Sequence, residues 1–141
     1  MEKLINEAIA LLDSGSTFIA IKDKIIIQSC GLGVKPIIEE MRDNQKVFKD
    51  AIIVDKIIGK AAALLLVLSG ARFVYGRVMS KTAVEVLKHY QVDYQYGELV
   101  EVIQNRSHTG LCPLEDSVKD TMDPQCAYYL IEERIMKLMK K

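Results

Sequence analysis

The chain has 141 residues, 50% of them apolar and 27% charged, with 19 basic and 19 acidic side chains that leave a formal net charge of zero. That size and composition suit one compact domain over residues 1–141 with a continuous core. A balanced charge excludes bulk nucleic-acid binding or membrane attraction driven by a global field. The most apolar run, Ala61 to Leu68, is about half the length a spanning helix needs.

In chain order, residues 2–13 place Leu4, Ile5, Ala8, Ile9, Leu11 and Leu12 at helical spacing, and Ser14-Gly15-Ser16 stops them. No apolar signal-peptide core follows Met1-Glu2-Lys3. Two β-like runs, Phe18 to Ile21 and Ile25 to Gln28, flank Asp23-Lys24 and predict a hairpin. After the break at Gly31-Leu32-Gly33, the spacing of Ile37, Ile38 and Met41 predicts a second helix. Ala51 to Val54 has the small and β-branched residues of a buried strand. Gly59-Lys60 opens an alanine- and leucine-rich helix that runs to about Ser69. Arg72 to Tyr75 is the next strand and Ser80 to Tyr90 the next helix. Weaker strand signals lie at Val92 to Tyr96 and Leu99 to Ile103. Strand and helix alternating at this spacing indicate a parallel βαβαβ core, hence an α/β fold.

A polar loop, Gln104 to Gly110, precedes Cys112-Pro113, where proline suits a first helical turn. Asp123-Pro124 starts a C-terminal amphipathic helix over residues 124–140, with Ala127, Leu130, Ile131, Ile135, Leu138 and Met139 on its apolar face. The three cysteines, Cys30, Cys112 and Cys126, cannot all pair with one another and form no CxxC. A cytoplasmic location with reduced thiols is the resulting expectation.

Ligands of open α/β sheets collect beyond the carboxyl ends of the parallel strands. Three junctions there share small or hydroxyl residues followed by lysine: Gly33-Val34-Lys35, Gly59-Lys60 and Ser80-Lys81-Thr82. Lysine in a first turn opposes the helix dipole, and free N–H groups at a helix start favour anions. A pocket for a phosphate or carboxylate accounts for the pattern; ordinary solvated lysines account for it equally. Ser80-Lys81-Thr82 lacks the GxxxxG frame of a P-loop, so a nucleoside-triphosphatase reading fails. Asp55, at the end of its strand, would line the same edge or balance Lys60.

Three segments carry a resemblance: Asp55 with Gly59-Lys60-Ala61-Ala62; Val78-Met79-Ser80-Lys81-Thr82-Ala83; and Asn105-Arg106 with Thr109-Gly110-Leu111-Cys112-Pro113-Leu114-Glu115. With the order of elements, they make residues 5–120 resemble the cytidine-deaminase-like fold, and within it a small uncharacterised bacterial family, a domain of unknown function. The resemblance implies a three-layer α-β-α arrangement with a mixed sheet. Zinc deaminases carry a His/Cys-Ala-Glu motif at one helix start and Pro-Cys-x-x-Cys at the next. The matching places here hold Lys60-Ala61-Ala62 and Met79-Ser80-Lys81-Thr82-Ala83, without imidazole, thiolate or carboxylate. Zinc chemistry needs three protein ligands and a proton-shuttling glutamate, so no metal is expected and zinc-dependent deamination is disfavoured.

Cys112 as cap residue would set its sulfur near free N–H groups, a setting that activates a thiolate. His108 would then serve as base; a small buried cysteine packing under the loop is the plainer alternative. His108, Cys112 and Cys126 have the spacing of no standard metal site. Asn105, Arg106 and Thr109 would contact a ligand or only fix the loop backbone.

The leading expectation is a non-zinc sensor or regulatory domain, acting as a homodimer, that binds a nucleotide or another small anionic metabolite without a cofactor. Its candidate contacts are Lys35, Asp55, Lys60, Ser80, Lys81, Thr82, Asn105, Arg106 and Thr109. The alternative is an enzyme of acyl or sulfur transfer using Cys112. A third reading is an interaction module built on the C-terminal helix.

Overall fold

The computed structural model describes residues 2–105 and 107–139. Its elements are α1 (Glu2–Asp13), β1 (Phe18–Ile21), β2 (Ile25–Ser29), α2 (Lys35–Asp43), β3 (Ile52–Ile58), α3 (Lys60–Ser69), β4 (Phe73–Ser80), α4 (Lys81–His89), β5 (Asp93–Val100), α5 (Pro113–Ser117) and α6 (Pro124–Met139). One five-stranded mixed sheet runs in the order β2-β1-β3-β4-β5. β1 is antiparallel to both β2 and β3, whereas β3, β4 and β5 are parallel neighbours.

Helices cover both faces. On one, α1 packs Ala8 and Leu12 against Ile19, Ile21, Ile52 and Val54. On the other, the larger core gathers Ile37 and Met41 of α2, the body of α3, Val86 and Leu87 of α4, and Ala127 and Ile131 of α6. α3 is buried nearly all round, from Ala61 through Leu66, as a helix without a polar face must be. Its neighbours are α4 and α6, with α2 and β3 completing the enclosure. No helix among the described residues is long and apolar enough to cross a membrane.

Three strands differ from sequence expectation. β3 and β4 run on to Ile58 and Ser80, so each strand delivers its chain directly into the following helix. The two weak signals after Tyr90 are one strand, β5, in continuous parallel register with β4 from Phe73↔Asp93 to Ser80↔Val100. Gly97 splits the apolar pattern in the sequence. A Cβ there would stand 2.8 Å from the Arg77 carbonyl oxygen, so the glycine permits close approach to β4 while pairing continues. Residues 101–103 lie outside the strand, and Gln104 and Leu111 form an isolated bridge that closes the polar loop.

Candidate functional site

At the carboxyl end of β3 the sheet, the start of α3 and the segments leading into α2 and α5 line a half-open cavity of about 200 Å³. Most of its wall is apolar, and Ala61 and Ala62 form the part contributed by α3. Its polar side chains are few: Thr17, Asp55, Lys56, Cys112 and Glu115.

Asp55 reaches the cavity because β3 carries it to the edge of its pairing with β1, opposite Phe18, the first residue of that strand. It is 4% exposed. Burial pushes its carboxyl up to about 8, while the backbone N–H groups of Ile57 and Lys56 pull it down less strongly. Its Oδ2 is the buried side-chain polar atom left without a hydrogen-bond partner among the described residues. Such an orphan costs about 1–3 kcal/mol, so native chains rarely keep one without a use.

Glu115 solves a problem posed by α3. That helix begins after Gly59, which has no side chain to cap the first N–H groups. The Glu115 carboxylate does so from 55 positions away, accepting Lys60 N–H and Ala61 N–H at 2.8 Å each. Burial raises the Glu115 carboxyl, and the two amides with the nearby Lys60 charge oppose the shift. A Cβ at position 59 would lie 2.5 Å from Glu115 Oε1, so only glycine leaves the carboxylate room. The anion at the positive end of α3 is therefore supplied by the chain itself.

The remaining candidate residues divide by location. The Lys60 ammonium turns outward and donates to the Lys119 carbonyl at 3.0 Å. Ser80 caps α4 by accepting the Ala83 N–H at 3.1 Å and bonds the Thr82 hydroxyl at 3.0 Å. Lys81 is ion-paired with Glu101, and Lys35 is exposed at the start of α2. Asn105 and Thr109 tie the polar loop to itself, through Asn105 Nδ2 to Thr109 Oγ1 at 3.1 Å and Thr109 N–H to Asn105 Oδ1 at 3.0 Å. Arg106 lies outside the described residues. His108 Nδ1 bonds Gln104 Oε1 at 2.7 Å, while Cys112, half-buried at the start of α5, lines the cavity. Of the candidates, Asp55 and Cys112 thus meet at one place, and Lys35, Lys81, Asn105 and Thr109 stand apart from it.

Sequence periodicity does not single out Thr17, whose hydroxyl donates to the Gly31 carbonyl at 2.5 Å, and it treats Glu115 only as an acidic residue beside Cys112. The available signal was Gly59 itself, because an interior helix start without a capping side chain must find its acceptor elsewhere. A wider depression of about 660 Å³ lies at the amino end of β3, where Lys22 and Lys49 stand among Asp23 and Asp50. Like the smaller cavity it is partly open to solvent, and among the described residues its lining holds no buried polar side-chain atom without a partner. Among the described residues no three His, Cys, Asp or Glu side chains are grouped to hold a metal ion.

Fold and cavity together define an α/β domain with a small acid-lined space at the carboxyl edge of a mixed sheet. Residues 7–135 match the model of TM1506, a domain of unknown function (DUF1893), and the chain belongs to that family. It is similar to the crystal structure of a DUF1893 family protein, TM1506 from Thermotoga maritima, with 24% identity and a TM-score of 0.81. That likeness covers 97% of this chain and 91% of the other. No curated protein matches.

Proposed function

We propose that this chain is a zinc-independent ligand-binding domain, a sensor or regulatory module, whose ligand enters the cavity lined by Asp55, Cys112 and Glu115. The observation that carries the reading is Asp55, a buried carboxyl with its Oδ2 unpartnered, in the wall of a space of about 200 Å³. Pockets that bind small molecules combine an apolar wall with a few convergent polar groups and perturbed carboxyls. The cytidine-deaminase-like frame belongs to the same proposal. The resemblance matches the vacated zinc motif to Lys60-Ala61-Ala62, and two of those residues border the cavity.

A thermal-shift panel of nucleosides, nucleotides, sugar phosphates, organic acids and amines, each with zinc or a chelator, tests it. We expect at least one compound to raise the melting temperature with no dependence on zinc. Ala62→Leu, which places a larger side chain in the cavity, should abolish that shift. Stabilisation that survives in the variant, or that requires zinc, refutes the assignment.

Cys112 supplies a readout that does not depend on any variant folding. Cys30 and Cys126 are exposed and Cys112 borders the cavity. A compound bound there should slow iodoacetamide labelling of Cys112 at least several-fold, measured by peptide mass spectrometry, and leave the other two cysteines unchanged. Equal rates with and without compound place binding elsewhere. The cysteine-enzyme reading rests on the same position of Cys112. It requires intrinsic labelling faster than that of Cys30 and Cys126, and slower labelling rules it out.

A further inference from the structure

We infer that the ligand's buried group is a small organic cation, an ammonium or amidinium, held by Asp55 and Glu115. This deepens the ligand-binding reading and rests on it. The cavity is a place of acceptors. Glu115 is already committed to two N–H groups through one lone pair on each oxygen, which leaves acceptor capacity on both. The hydroxyl proton of Thr17 is spent on the Gly31 carbonyl, so toward the cavity Thr17 offers only lone pairs. Asp55 Oδ2 has no partner, and among the described residues no cation of the chain pulls on its carboxyl, which feels burial and two backbone amides.

Donors on its wall are few: among the described residues Lys56 is the one ammonium of the lining, set against the carboxyl groups of Asp55 and Glu115. The Lys60 and Ala61 amides of α3 are taken by Glu115, and the Lys60 ammonium is bound to the Lys119 carbonyl. A phosphate placed there would meet carboxyl groups where an anion site needs N–H. At about 4 Å in a partly screened site the Glu115 carboxylate repels an anion by roughly 4 kcal/mol, and Asp55, protonated in the empty cavity, adds no charge to attract it. A cation reverses that sign. It supplies the N–H donors that the acceptors lack and the counter-charge that a buried Asp55 lacks. The apolar wall around this acidic end fits an organic body attached to the charged group.

Three probes of one shape and different charge test the inference: benzamidine, benzamide and benzoate. Calorimetric titration of the full chain at pH 7, in buffers of different ionisation enthalpy, should show benzamidine binding with release of close to one proton. Asp55 holds that proton when the cavity is empty, since its carboxyl titrates near 8, and the other titratable lining groups are Lys56, Cys112 and Glu115. Asp55→Asn should weaken benzamidine at least tenfold, and benzamide and benzoate should bind at least tenfold more weakly than benzamidine to the unaltered chain. Benzoate or inorganic phosphate binding as well as benzamidine, with protection of Cys112, overturns the cation assignment and leaves the ligand-binding reading standing. Benzamidine affinity unchanged in Asp55→Asn also overturns it. Failure of every compound in the wider panel to bind overturns both.

Discussion

Glu115→Ala should lower the stability of the fold by about 3 kcal/mol, through the loss of two charge-assisted hydrogen bonds that also cap a helix. The amides it leaves behind belong to Lys60 and to the buried Ala61, so water cannot simply replace the carboxylate at both. For a domain of this size the loss appears as a drop in melting temperature of roughly 10 °C. Gly59→Ala should cost a comparable amount by a different route, because its new methyl group claims the space of Glu115 Oε1. The two effects are therefore one effect counted twice. In a double-mutant cycle followed by urea unfolding at constant m-value, Gly59→Ala should cost less than about 1 kcal/mol once Glu115 is alanine. Additive losses would show that the carboxylate and the glycine act independently, contrary to the geometry.

This contact explains why the fold was more legible in the sequence than the site. α3 announces itself because Ala61 through Leu68 is apolar on every side, and only a helix enclosed by other elements tolerates that. The hairpin of β1 and β2 and the βαβ alternation are likewise local, carried by residues a few positions apart. β5 was less legible because Gly97 interrupts its pattern, and the register that overrides the interruption is held by β4. The site depends on meetings across long separations. Glu115 reaches the α3 amides across 55 positions, and Thr17 meets Gly31 across a hairpin. The lysines at the helix starts were the visible feature. The ammonium groups of Lys60 and Lys81 go to the Lys119 carbonyl and to Glu101, and Lys35 is exposed, since a long flexible side chain seeks solvent and partners at the surface. Asp55 was visible as a strand-end acid, but its burial and its orphaned oxygen arise only when α3 and the two connecting segments close over it.

Asp55→Asn should make the protein more stable at pH 8, by about 2–4 kcal/mol, and should flatten its dependence on pH. The folded chain holds the Asp55 proton up to about 8, against a reference carboxyl value of 3.8. Between those values the unfolded chain has lost its proton and the folded chain keeps it. Folding then takes up a proton, and stability falls as pH rises. Below about 4 both states are protonated and the effect is absent; above about 8 both are ionised and it is complete. Four pH units at 1.36 kcal/mol each set an upper bound of roughly 5 kcal/mol. The asparagine amide has its own unmet hydrogen bonds, worth about 1–3 kcal/mol, which reduce the gain. Urea unfolding of both proteins at pH 5, 6.5 and 8 measures it, and groups common to the two cancel in the difference. Profiles that run parallel would mean that Asp55 is solvated or paired in the fold. Diverging profiles, together with loss of benzamidine binding in the same variant, would show a buried acid retained at the expense of stability because a ligand needs it.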